Sequence, residues 1–148
     1  MNMKRQLCTF FLEGLFFGVE VEKVQEVIRY QEMTPVPLSP AVIAGLINLR
    51  GQIVTAIDLR HQLGLSARKS EELPMNVVIR RDDGPISLLV DEIGDVVEVD
   101  EQLFEPPPDT LDGQRREFIH GIYKLKERLL LLLDTEKAMS VAGTWRPA

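Results

Sequence analysis

The sequence predicts an all-β fold: two small five-stranded barrels packed against each other, with only short helical turns between strands. Three observations carry this. Short apolar runs rich in Val, Ile and Phe, many with a period of two, are separated by Gly or Pro clusters, the signature of many short strands. The segment Gly45 to Leu59 recurs without a gap at Gly121 to Thr135, matching Gly45 with Gly121, Leu49 with Leu125, Arg50 with Lys126, Ile53 with Leu129, Ile57 with Leu133 and Asp58 with Asp134. Long helical periodicities are scarce.

Taken in order, the expected strands are Leu7–Leu12, Leu15–Val19, Glu26–Tyr30, Leu46–Leu49, Ile53–Asp58, Asn76–Arg80, Ile86–Val90, Val96–Val99, Gly121–Leu125 and Leu129–Leu133. Glu13-Gly14, Arg50-Gly51 and Asp83-Gly84 supply hairpin turns, because glycine accepts positive φ and Asp-Gly suits the type I′ geometry that follows strand twist. Lys126-Glu127 closes the last hairpin with less obvious turn chemistry.

The repeat extends upstream: Val21 to Ile28 aligns with Val90 to Val97, Cys8 to Glu13 with Val77 to Asp82, and Pro37 with Pro106. Each copy therefore reads strand, turn, strand, short acidic turn, strand, proline segment, hairpin. Five strands closed into a barrel leave no exposed sheet edge. Ser66 to Pro74 is polar, charged and ends in proline, which marks it as the linker. The expected organisation is a single domain over 1–148, with lobe one at about 10–65, a linker at about 66–75 and lobe two at about 76–140, terminal segments being free to cross between lobes. Either copy alone is small for a stable core, so a shared apolar interface is expected. Helical turns are expected at Pro40–Ala44, at Arg60–Leu65, and at Thr135–Val141, where Thr135 is the expected cap and Glu136 sits in the first turn. The tail Gly143 to Ala148 is expected to be loosely held.

A chain of 148 residues with 45% hydrophobic content can bury a core. A net charge of -6 and a pI near 5.0 argue against general attraction to nucleic acid or anionic lipid, which leaves proteins as the expected partners. Cys8 is the only cysteine, which excludes an internal disulfide and fits a reducing compartment; its apolar surroundings read as a buried strand position. The basic N-terminus lacks the apolar region and small-residue site of a secretion signal, and the run Leu129 to Leu133 is too short to cross a bilayer, so the chain reads as cytoplasmic with no direct membrane insertion.

Enzyme chemistry finds little support. His61 and His120 lie in different copies, with no second histidine or cysteine at ligand spacing, and no phosphate loop, nucleophile elbow or His-Glu-x-x-His segment occurs. No catalytic residue, metal site or cofactor is expected. The acidic pairs Asp82-Asp83 and Asp91-Glu92 fall at turns and read as solvated. Arg50 stands out because a rigid turn would present it, and Glu26 because it interrupts an otherwise apolar segment. If their strands neighbour one another in one barrel, the two form a carboxylate–guanidinium pair. Val24, Val27, Ile43, Leu46, Val97 and Val99 read as core or as the lining of a groove where the lobes meet. The proline run Pro35 to Pro40, echoed at Pro106 to Pro108, reads as a stiff connection around the barrel, with a polyproline ligand as the alternative.

These residues together resemble the CheW coupling proteins of bacterial chemotaxis. The resemblance rests on Phe17-Gly18-Val19, Val24-Gln25-Glu26-Val27-Ile28, Thr34-Pro35-Val36-Pro37, Gly45 to Gly51 with Ile57-Asp58-Leu59, Leu89-Val90-Asp91 with Asp95-Val96, Pro106, and Gly121 with the leucine run. Asn48-Leu49-Arg50-Gly51 is its sharpest element. Thr55-Ala56 departs from the Pro-Val of many members, and the resemblance assigns no role to Trp145 to Ala148.

The resemblance implies two five-stranded SH3-like barrels around a common apolar seam, no catalysis, and an adaptor that couples the cytoplasmic hairpin tip of chemoreceptors to the regulatory domain of the histidine kinase CheA. It also implies that Glu26 and Arg50 form a salt bridge important for coupling. A receptor helix is expected to dock between the lobes, with Val24, Val27, Leu46, Val97 and Val99 as groove residues and Asn48 joining Glu26 and Arg50 on the partner-binding surface. The alternatives are an adaptor of a chemosensory pathway for pili, gliding or gene regulation, or a small barrel that binds nucleic acid or a ligand, against which the acidic balance argues.

Overall fold

Alternating residues with both faces apolar make these strands interior on two sides, and the architecture follows from that. The computed structural model describes residues 3–69, 71–111 and 113–140. The tail at 143–148 and the last residue of the helix expected to reach Val141 lie outside the described residues. Among the described residues ten strands form: β1 (Lys4–Leu12), β2 (Leu15–Glu20), β3 (Val24–Ile28), β4 (Ile43–Leu49), β5 (Gln52–Asp58), β6 (Met75–Ile79), β7 (Ile86–Val90), β8 (Glu92–Asp100), β9 (Ile119–Lys124) and β10 (Leu129–Leu133). They make two five-stranded sheets, ordered β8-β1-β2-β10-β9 and β3-β6-β7-β5-β4.

The sheets do not follow the copies. The first joins β1 and β2 to the last three strands of copy two, and the second joins β6 and β7 to the last three strands of copy one. The sequential division at 10–65 and 76–140 is therefore corrected: each sheet takes its leading hairpin from the other copy. A local cause is visible at the junctions. Asp91 alone separates β7 from β8, too little for a hairpin reversal, so the chain runs on into the other sheet. The equivalent passage from β2 to β3 is a single 3-10 turn, Val21–Lys23. Every ladder between copies occurs twice, as antiparallel β1–β8 with its image β3–β6, and parallel β2–β10 with its image β5–β7.

Period two sorts the side chains into three cores. On β10, Leu131 and Leu133 enter a core shared by both sheets, while Leu130 and Leu132 pack with Leu7, Val99 and Tyr123 against the first sheet's other face. On β7, Ile86, Leu88 and Val90 enter the shared core and Leu89 joins Ile47, Val54, Ala56 and Val78 on the far face of the second sheet. Burial on both faces is why these strands read as continuous apolar runs. The buried polar pair on the second sheet is satisfied: Ser87 Oγ donates to Asn76 Oδ1 at 2.7 Å, and Asn76 Nδ2 donates to the Arg29 carbonyl at 3.1 Å.

The duplicated residues hold duplicated positions. A Cβ on Gly45 would stand 2.8 Å from the Thr34 carbonyl oxygen, and one on Gly121 only 2.4 Å from that of Glu105, because these crossing segments bridge to Leu46 and Ile122 on the outer edges of β4 and β9. Asp58 and Asp134 each cap a one-turn helix, α1 (Leu59–Gln62) and α3 (Thr135–Ala138), accepting from the amides of His61 and Lys137. Asp134 takes the capping role expected of Thr135, which lies buried inside the first turn. Pro40–Ala44 is a turn and not a helix: the Ile43 amide donates to the Pro40 carbonyl at 2.9 Å and β4 begins there. A further helix, α2, spans Gly113–Glu117.

Candidate functional site

The Arg50-Gly51 turn has φ of 52° and 88° at its two central residues, the type I′ pattern. A non-glycine residue in this region costs roughly 1–2 kcal/mol, so the turn needs support. Asn48 supplies it, its Oδ1 accepting from the Gly51 amide at 2.9 Å. In the second copy neither Lys126 nor Glu127 has positive φ. The left-handed, Asn-braced turn thus belongs to the first copy alone.

Glu26 reaches the turn through a bulge. Val24 pairs with Ile79, but Glu26 pairs with Val78, so one extra residue sits between them on β3. The slip moves Glu26 onto the face of Val78, at the rim of the second sheet's own core. There Arg50 Nη2 donates to Glu26 Oε2, with the guanidinium 69% and the carboxylate 20% exposed. The hydrogen bond from Arg50 holds the Glu26 carboxyl below the usual carboxylate range against the opposing effect of burial, assisted by Gln25 and by the Arg50 charge. β3 and β4 are the two edges of their sheet, so this ion pair reaches from one edge to the hairpin at the other. The sheet is curled, and side chains close the gap.

Beside the pair lies a cleft of about 820 Å³ lined by Tyr30, Met33, Thr34, Leu46, Asn48 and Ile53. Leu46 is half-buried in its wall and Ile53 is exposed. The remaining apolar candidates divide. Val24 (8% exposed) and Val99 (5%) are core residues, which corrects their assignment to a groove: Val24 faces the shared core before the bulge, and Val99 packs with Leu7 and Leu130. Val97 is half-buried against that same small core. Val27 is 37% exposed and lies opposite Val77, on the face of β3 that looks toward the shared seam. Its counterpart Val96 was missed. It is 57% exposed, lies opposite Cys8 on edge strand β8, and was discoverable because the repeat aligns Val27 with Val96.

Asp91, expected to be solvated, is engaged on both oxygens. Arg60 bonds Oδ1 and Oδ2, Arg68 bonds Oδ1 through Nε and Nη2, and the Glu13 amide donates to Oδ2 at 2.7 Å. One carboxylate thereby ties α1, the linker and the β1–β2 turn to the β7–β8 junction. Among the described residues no three His, Cys, Asp or Glu side chains gather as a metal site would require, and no helix is long and apolar enough to cross a membrane.

Comparison with known proteins bears on this arrangement. The CheW-like domain profile matches residues 6–142. The chemotaxis protein CheW of Treponema pallidum is 30% identical over 139 residues, covering 91% of this chain and 82% of the relative. That of Klebsiella aerogenes is 30% identical over 136 residues, covering 92% and 82%. The crystal structure of the scaffolding protein TtCheW from Thermoanaerobacter tengcongensis superposes with a TM-score of 0.79 at 29% identity, covering 89% of this chain and 90% of that one. With the profile matched over residues 6–142, relatives 30% identical over nine-tenths of its length and a close structural match, the chain belongs to the CheW family.

Proposed function

We propose that this non-catalytic chemotaxis adaptor couples chemoreceptors to the histidine kinase CheA through two neighbouring features, the braced Glu26–Arg50 rim with its Leu46–Asn48 cleft and the exposed seam-side valine of β3, Val27. The Glu26–Arg50 pair carries this reading: a largely exposed arginine is held by a strained, side-chain-braced turn that its structural duplicate lacks. An exposed ion pair adds little to stability, so stability alone does not account for the strain. Val27 supplies apolar surface beside the seam, suited to the apolar face of a receptor helix. The rim then contacts the CheA regulatory domain. Half-buried Val97 packs against the first sheet's small core, on the other sheet from this rim.

The test is a charge-swap cycle read by co-sedimentation with receptor fragments and the CheA-like kinase of the same organism. Arg50→Glu is expected to weaken assembly by about tenfold, and adding Glu26→Arg to restore part of it, since directly paired groups couple by about 0.5–3 kcal/mol. Purely additive losses would sink the direct role of the pair. Failure of the folded wild type to associate with either partner would sink the adaptor reading.

A further inference from the structure

The duplication places a second, differently built surface on the other sheet. Phe10 and Phe17 stack within the shared core with centroids 5.6 Å apart. Their neighbours Phe11 and Phe16, paired across the same hairpin, point to the opposite face, where their rings lie 5.0 Å apart and remain half-buried. Arg128, from the β9–β10 turn, lies over both, its Cζ 5.4 Å from the Phe11 centroid and 4.9 Å from that of Phe16. The guanidinium makes no hydrogen bond or ion pair with any other described residue. Next to it opens a pocket of about 460 Å³ whose apolar walls include Val97 and Leu125 and whose rim carries Asp95, Lys126 and Glu127.

Stacking fixes the plane of a guanidinium while leaving its in-plane N–H donors free, the arrangement that grips a carboxylate through two parallel bonds. The apolar walls beside it suit an aliphatic side chain. The geometry points to this pocket as a docking site for a partner-protein segment in which a carboxylate side chain lies beside an aliphatic one. Asp95 and Glu127 balance Lys126 and Arg128 in formal charge, which weighs more heavily against a phosphate dianion than against a single carboxylate, and the stacked guanidinium supplies the donors that a carboxylate would take. This inference rests on the adaptor reading and gives it a second contact: the Glu26–Arg50 rim lies on one sheet and the Arg128 pocket on the other.

The experiment titrates wild type, Arg128→Glu and Arg128→Lys against a receptor cytoplasmic fragment and, separately, the regulatory domain of the CheA-like kinase from the same organism, with unfolding temperature measured for each variant. Arg128→Glu is expected to weaken one of the two associations by about tenfold and leave the other within about twofold, at an unchanged unfolding temperature. Arg128→Lys, which keeps the charge but loses the planar fork, is expected to fall between. Both affinities staying within about twofold of wild type would overturn the proposal. So would unchanged partner binding with loss of concentration-dependent self-association, which would make a second copy of this chain the occupant. If wild type binds neither partner, the adaptor reading fails first and takes this proposal with it.

Discussion

Arg60 grips Asp91 with two hydrogen bonds, Nε to Oδ1 at 2.9 Å and Nη2 to Oδ2 at 2.5 Å. Arg68 completes the site from the linker, and all three side chains are largely buried. Burial alone raises the Asp91 carboxyl, but the bonds from Arg60, the Glu13 amide and Arg68 outweigh it, so the group sits below the usual carboxylate range. Asp91→Asn removes the charge and leaves two arginines unpaired, which is expected to cost about 2–3 kcal/mol at neutral pH after allowance for partial exposure. Chemical denaturation measures it.

The same group makes a prediction about acid. A depressed folded pKa means that the stabilisation is present above the unfolded carboxylate value of about 3.9 and is lost as pH falls through the lower folded value. The stability gap between wild type and Asp91→Asn is therefore expected to be constant above about pH 5 and to shrink below about pH 4. A gap independent of pH down to the acid transition would show that the charge of Asp91 does not supply the stabilisation.

Asn48 braces the turn that carries Arg50. Asn48→Ala removes the acceptor of the Gly51 amide and is expected to cost about 1 kcal/mol, whereas Asn48→Asp keeps an acceptor and costs less. Both variants retain Arg50. If Asn48 only filled space, alanine and aspartate would weaken kinase association equally; if it braces the turn, aspartate preserves most of it.

The paired glycines differ in how tightly they are crossed. A Cβ at position 121 would stand 2.3 Å from the Phe104 ring and 2.4 Å from the Glu105 oxygen, against 2.8 Å from the Thr34 oxygen at position 45. Gly121→Ala and Gly45→Ala are each expected to destabilise by about 1–3 kcal/mol, with Gly121→Ala the worse. Thermal unfolding of the two variants side by side decides the order.

Much of this was legible in the sequence, and the failures have particular causes. All ten strands lie where apolar runs alternate between Gly and Pro punctuation, and the repeat of Gly45 to Leu59 at Gly121 to Thr135 marks real structural equivalents, down to the capping Asp58 and Asp134. The Glu26–Arg50 contact was open on the residues alone, conditional on neighbouring strands, and implied by the resemblance; it forms although the strands are opposite sheet edges brought round to each other and not ladder partners. The sequence left terminal segments free to cross between lobes but did not show the reciprocal exchange of both leading hairpins, because alternation shows which faces are buried, never which strand lies alongside. The bulge at Gln25 sets Val24 and Val27 on the same face of β3, Val24 buried and Val27 exposed, a one-residue slip that no pattern in Val24 to Ile28 announces. Asp91 read as a turn residue because Arg60 and Arg68, its partners, are remote in sequence.

The reciprocal exchange of hairpins also speaks to ancestry. A single unfused copy would carry the same strands but lack the β1–β8 and β2–β10 ladders and their images, every one of which joins one copy to the other. Such a half could complete its hydrogen bonding only by trading its leading hairpin with a twin. The present chain is thus organised as a swapped homodimer joined through the linker: the Asn48-braced arginine lies wholly within the first copy, whereas the Phe11–Phe16–Arg128 stack takes its rings from the first copy and its arginine from the second.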